Sequence, residues 1–126
     1  MRFMFNGNVN EPAKNDLDVF QEEALRSMRS DLPYEAICSN MCMGLAGETG
    51  ETVDIFKKHI YQGKVLDIND VIEEIGDILW YIANLCNVNK ITMKECMDAN
   101  VEKLRKRYPN GFTIKDALER VDKNVK

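Results

Sequence analysis

Twice along this chain, from Ile37 to Phe56 and from Val71 to Leu85, apolar side chains return every three or four residues. Each run is interrupted by two acids three residues apart, Glu48 and Glu51 in the first and Glu74 and Asp77 in the second. That period is the signature of a helix with one packing face, and it competes with no β-type alternation anywhere in the chain. Placed on a helical wheel at about 100° per residue, Ile37, Met41, Leu45, Thr52, Ile55 and Phe56 form one inward arc with Glu48 in its middle. Gly44, Glu51, Asn40 and Lys58 lie along its edge. In the second run the arc holds Val71, Ile75, Ile78, Leu79, Ile82 and Leu85, bordered by Glu74, Asp77, Tyr81 and Asn84. Any fold that buries these two arcs must bring four carboxylates towards one another.

Carboxylates in that position repel, and loss of water makes each ionised one costlier, so a positive group has to hold them. A donor set of oxygen alone suits a hard divalent cation, Mg²⁺ or Mn²⁺ in its place, over zinc. Glycines accompany the acids. Gly44, Gly47 and Gly50 each cost roughly 1 kcal/mol inside a helix, and Gly44, Gly47 and Gly76 are expected to let the helices approach while leaving room for metal and ligand. A phosphate-binding P-loop does not fit, because no Gly-Lys-Ser/Thr follows the glycines and no strand precedes them. A di-iron bundle does not fit either: it requires Glu-x-x-His pairs, and the one histidine, His59, has Phe56 three residues before it. His59 reads as a packing residue or a helix C-terminal cation.

The rest of the pattern predicts an all-α bundle of four to five helices. A first helix is expected over residues 16–30, with Leu17, Phe20, Ala24 and Met28 on one stripe. A second starts at Pro33 and runs to about Tyr61, where "QGK" stops it. Asp70, with Glu73 in capping-box position, is expected to open a third that reaches about Cys86. "TMKE", residues 92–95, opens a fourth that "RYPNGF" ends, and Thr113 with Asp116 caps a short fifth. The long second and third helices form an antiparallel pair. With 126 residues and 14.5 kDa, the whole of 1–126 reads as one domain with a loose arm over 1–15. The net charge of −4 and pI near 5.1 argue against nucleic-acid and anionic-membrane partners. No stretch has the apolar length of a leader or a membrane span, which predicts a soluble, cytoplasmic protein. Cys38, Cys42, Cys86 and Cys96 lack zinc-ligand spacing and are expected to be buried, reduced thiols. The apolar surface of the helices exceeds what one short bundle covers, so self-association is expected.

Three blocks in order carry a more specific signal: "GLAGETGETVDIFKK", then "EEIGDILWYIA", then "NVEKLRKRYPNGF". Over roughly residues 17–112 the chain resembles the MazG-like branch of the all-α nucleoside triphosphate pyrophosphohydrolases. The shared pattern is Glu-x-x-Glu, a spacer of about twenty residues, Glu-x-x-Asp, and a downstream Asn-x-x-Lys-Leu-x-x-Arg-Tyr-Pro. The resemblance implies that Glu48, Glu51, Glu74 and Asp77 bind Mg²⁺ and are catalytic. It implies hydrolysis of a nucleoside triphosphate between its α and β phosphates to a monophosphate and pyrophosphate, in a dimer or tetramer. Asn100, Lys103, Arg107 and Tyr108 match the downstream block and are candidates for binding substrate, with Lys58 for the outer phosphates and Tyr81 for the base. Arg107 and Tyr108 have a second reading, as a lock on the "RYPNGF" turn. The alternative function is a non-catalytic helical module that keeps the metal and senses nucleotide.

Overall fold

The computed structural model describes residues 14–123, so the expected arm over 1–15 lies outside the described residues apart from Lys14 and Asn15. The order is α1 (Asp16–Leu25), α2 (Tyr34–Gln62), α3 (Ile68–Val88), α4 (Met93–Arg107) and α5 (Ile114–Glu119), followed by a 3-10 turn (Val121–Lys123). There is no strand among the described residues, only an isolated bridge between Pro109 and Gly111. No helix among them is long and apolar enough to cross a membrane.

Local chemistry explains most boundaries. Asn15 caps α1 by accepting from the Asp18 N–H, and Thr92 opens α4 with a complete capping box to Glu95. Thr113 caps α5 by accepting from the Asp116 N–H. Each satisfies N–H groups that the first helical turn leaves without partners. Gly63, at φ 68°, ends α2 in the left-handed conformation that a residue lacking Cβ adopts without strain.

Two expected boundaries differ. The first helix stops at Leu25 rather than Ser30: its last turn tightens, with the Arg26 N–H donating to Glu23, and the chain then leaves so that the Ser27 hydroxyl meets the Trp80 indole N–H at 2.9 Å. Pro33 adds to this by keeping Leu32 out of the helical region. The third helix begins one turn early, because Asp67 rather than Asp70 accepts from the Asn69 N–H and caps it. Asp70 then sits in the first turn, where its charge favours the helix dipole.

α2 and α3, joined by residues 63–67, share the most extensive packing in the molecule. α1 and the start of α4 close over the far half of α3. There Ala24, Ala83, Cys86 and Met93 form a buried cluster, flanked by Leu17, Phe20, Trp80 and Ile82. A polar network pins that corner. Fully buried Asn84 donates to the Ala24 carbonyl, Asn87 donates to Asn84 and to the Gln21 carbonyl, and Gln21 bridges the Ile91 carbonyl and the Met93 N–H. Asn84 is therefore a packing residue facing α1, although its place on the wheel borders the acids. The other half of the helix pair stays open. Val53, Phe56 and Ile60 on α2, and Ile68, Ile72, Ile75 and Leu79 on α3, are exposed. They lie on the opposite side of the packing arc from Glu51 on α2 and from Glu74 and Asp77 on α3.

The thiols do not match the expectation of four buried cysteines. Only Cys86 is buried; Cys38 is half-buried, and Cys42 and Cys96 are exposed.

Candidate metal and substrate site

The middle of the α2–α3 contact carries the acids. Glu48 projects from α2, and Glu74 and Asp77 from consecutive turns of α3. One carboxylate oxygen from each lies within 4.8 Å of the others. Glu48 and Glu74 are half-buried and Asp77 is exposed. Glu51, one turn beyond Glu48, is exposed and lines an adjoining cleft of about 300 Å³ with Glu74, Asp54, Lys58, Asp67 and Asp70.

The electrostatic consequence falls on Glu74. Its carboxyl is pushed up to about 7, first by a proton shared with Glu48, then by loss of water, and then by the negative charges of Glu48, Glu51 and Asp77. A carboxyl that keeps its proton near neutrality because its neighbours are carboxylates is short of positive charge. Three carboxylate oxygens gathered at this separation are the kind of donor set that a hard divalent cation takes.

The glycines divide into two kinds. At Gly44, an added Cβ would fall 2.1 Å from Cε1 and 2.2 Å from Cζ of Tyr81, so only glycine lets the Tyr81 ring lie against α2. Trp80 meets the same ring in a T-shaped contact, with 4.9 Å between centroids. At Gly47, Gly50 and Gly76 an added Cβ would meet nothing within 4 Å. Helix approach thus depends on Gly44, whereas Gly47 and Gly76 leave open space beside the acids.

The expected substrate residues fall into three groups. Tyr81 stands one turn past Asp77, and Lys58 lies in the cleft beside Glu51 and Glu74, paired with Asp54, which raises the affinity of its amine for a proton. Asn100 and Lys103 are exposed on α4, a helix that packs on α1, the foot of α3 and the 3-10 turn. Arg107 is engaged elsewhere. Its Nε and Nη2 donate to the two carboxylate oxygens of Asp122 at 2.7 and 2.8 Å, and the Asp122 side chain is 1% exposed. That fork holds the Asp122 carboxyl down at about 2. Tyr108 ends α4, under the Arg107 guanidinium and against Phe112. His59 lies apart from the acids, its Nδ1 2.8 Å from the Lys64 carbonyl.

Asp122 has no counterpart in the sequence reasoning. It stands in no periodic pattern, and its partner is fifteen residues away. The one available signal was an acid in a segment of mixed charge, "ERVDK", downstream of an arginine that also had a structural reading.

These features define a class: all-α proteins that gather carboxylates between two long packed helices. Within that class, residues 38–112, more than half of the chain, match the family model of the MazG nucleotide pyrophosphohydrolase domain, and the chain belongs to that family. It is also similar to the Gene 37 protein of Mycobacterium phage L5, 34% identical over 77 residues, which covers 58% of this chain and 68% of the relative. No solved structure matches it.

Proposed function

We propose that this protein hydrolyses nucleoside triphosphates between the α and β phosphates, releasing a nucleoside monophosphate and pyrophosphate, with Mg²⁺ as the cofactor and Mn²⁺ as a substitute. The observation that carries this reading is the carboxylate cluster of Glu48, Glu74 and Asp77 inside the matched domain. In this reading Glu48, Glu74 and Asp77 hold the cation, and Glu51 completes the acid set from the edge of the cleft. When bound, the cation supplies positive charge to the phosphate oxygens and to the departing pyrophosphate.

The chain's own residues do the rest. Lys58, at the cleft, meets the outer phosphates once substrate competes with Asp54 for its ammonium group. Tyr81, packed against Gly44 and Trp80, is assigned to stack on the base. Asn100 and Lys103, exposed on α4, are assigned to the triphosphate from the downstream block that they match. Arg107 and Tyr108 act at one remove, because the Asp122 fork commits the guanidinium to holding the end of α4. The exposed stripes on α2 and α3 support assembly of the antiparallel helix pair into a homodimer or homotetramer, and the acidic surface suits a soluble cytoplasmic enzyme.

The test is a nucleotide panel, canonical and noncanonical, assayed for pyrophosphate and orthophosphate with Mg²⁺ and with EDTA. Metal-dependent pyrophosphate release from at least one triphosphate is expected, and it should be abolished in Asp77→Asn. Nucleotide binding without turnover across the panel would instead favour the sensor reading.

A further inference from the structure

Two thiols that the proposed site does not use meet where α3 gives way to α4. Cys86 is buried in the cluster with Ala24, Ala83 and Met93, while Cys96 is exposed in the first turn of α4. Their sulfurs lie 3.9 Å apart. A disulfide requires about 2.05 Å, a distance that small side-chain rotations close from van der Waals contact. The backbone between them is well anchored. The Ile91 N–H donates to the Cys86 carbonyl at 3.1 Å, Thr92 and Glu95 close the capping box, and Gln21 holds both the Ile91 carbonyl and the Met93 N–H. The two sulfurs are therefore kept together by the fold.

We propose that Cys86 and Cys96 form a redox-active pair that closes to an intramolecular disulfide when a peroxide reaches Cys96, stapling α4 to α3. Exposure makes Cys96 the sulfur that meets the oxidant. Its thiolate attacks one peroxide oxygen, the O–O bond breaks, and Cys96 becomes a sulfenic acid as hydroxide leaves and takes up a proton. The Cys86 sulfur then attacks the Cys96 sulfur. The S–S bond forms, the S–O bond breaks, and the Cys86 proton leaves with the hydroxide as water. Two thiols and one hydrogen peroxide thus give one disulfide and two waters. Burial pushes the Cys86 thiol up to about 11, which leaves the first attack on peroxide to Cys96 and makes the resolving attack by Cys86 the slow step.

The staple has a reach along α4. Cys96, Asn100, Lys103 and Arg107 recur at i, i+4, i+7 and i+11 and so share one face of the helix. Fixing Cys96 fixes the rotation of that face, and with it the direction of Asn100 and Lys103, a consequence that rests on the hydrolase reading.

The experiment uses the full chain, reduced, then treated with hydrogen peroxide, alkylated and digested without reductant. The intact mass should fall by two hydrogens, and the Cys86 and Cys96 peptides should be recovered joined. Thermal unfolding should move up by several degrees and return with dithiothreitol. Cys96→Ser should abolish the joined peptide, and Cys42→Ser should leave it. Recovery of Cys96 as sulfinic acid beside free Cys86, or of Cys38 or Cys42 in the joined peptide, would overturn the proposal. The reach along α4 has its own readout: oxidation should change KM for the triphosphate severalfold in the native chain and leave Cys96→Ser unaffected. An oxidised, cross-linked protein with unchanged KM would overturn that coupling. A reduced protein without turnover would count against the hydrolase reading alone.

Discussion

At the scale of single residues, the glycines give the sharpest test of the packing. Gly44→Ala drives a methyl into the Tyr81 ring, and overpacking of this kind costs about 1–3 kcal/mol. Gly50→Ala meets open space in a helix interior and should stabilise by about 0.5–1 kcal/mol. Opposite signs are expected in denaturant titrations, with a changed near-ultraviolet signal from the Trp80–Tyr81 pair in Gly44→Ala alone. Glu74 supplies a second test. Its folded-state carboxyl is raised to about 7, so the metal-free native state holds a proton that the unfolded chain releases at lower pH. Native stability from this group is complete below the ordinary carboxylate range and is lost as pH rises towards 7. Metal-free stability should fall over that window, and Glu74→Gln should flatten the fall. Metal affinity, which requires the proton to leave, should rise through the same window in calorimetric titrations.

At the scale of helices, the sequence was legible wherever a boundary or a face is set by near neighbours. The Thr92 and Thr113 caps follow from side chains three residues from the N–H they accept, and Glu48 in the middle of the α2 arc follows from the helical period. What needed the structure were the contacts between distant segments. The sequence pointed to Asp70 as the cap of α3, whereas Asp67 takes that place one turn earlier. Asn84 looked like a member of the acid border until α1 was placed over it. Arg107 had two readings, and Asp122 engages it in a fork that no spacing announces. That fork makes the end of α4 sensitive to acid. Because the Asp122 carboxyl is held at about 2 when folded, its contribution is present above the ordinary carboxylate range and is lost as pH falls towards 2. Asp122→Asn should lower the unfolding midpoint at pH 7 and weaken the acid dependence, while Mg²⁺ affinity stays at the native value.

At the scale of the whole molecule, the uncovered stripes of α2 and α3 predict association. Val53, Ile60 and Ile72 are each at least 60% exposed, beside the faces through which α2 and α3 pack on each other. Light scattering at micromolar concentration should give a mass that is a multiple of 14.5 kDa. Ile72→Lys should shift it towards the single chain, because a charge in the middle of such a stripe opposes its burial. The short connection over residues 63–67 bears on the order of events in time. Helices that are neighbours in sequence meet with little loop-closure entropy, so the α2–α3 hairpin is the element able to form early. α1 reaches the α3–α4 corner only by closing a loop that spans most of the described chain, from Gln21 to Met93. In refolding kinetics, therefore, substitutions along the α2–α3 contact should slow folding, whereas loss of the Gln21 anchor should chiefly hasten unfolding.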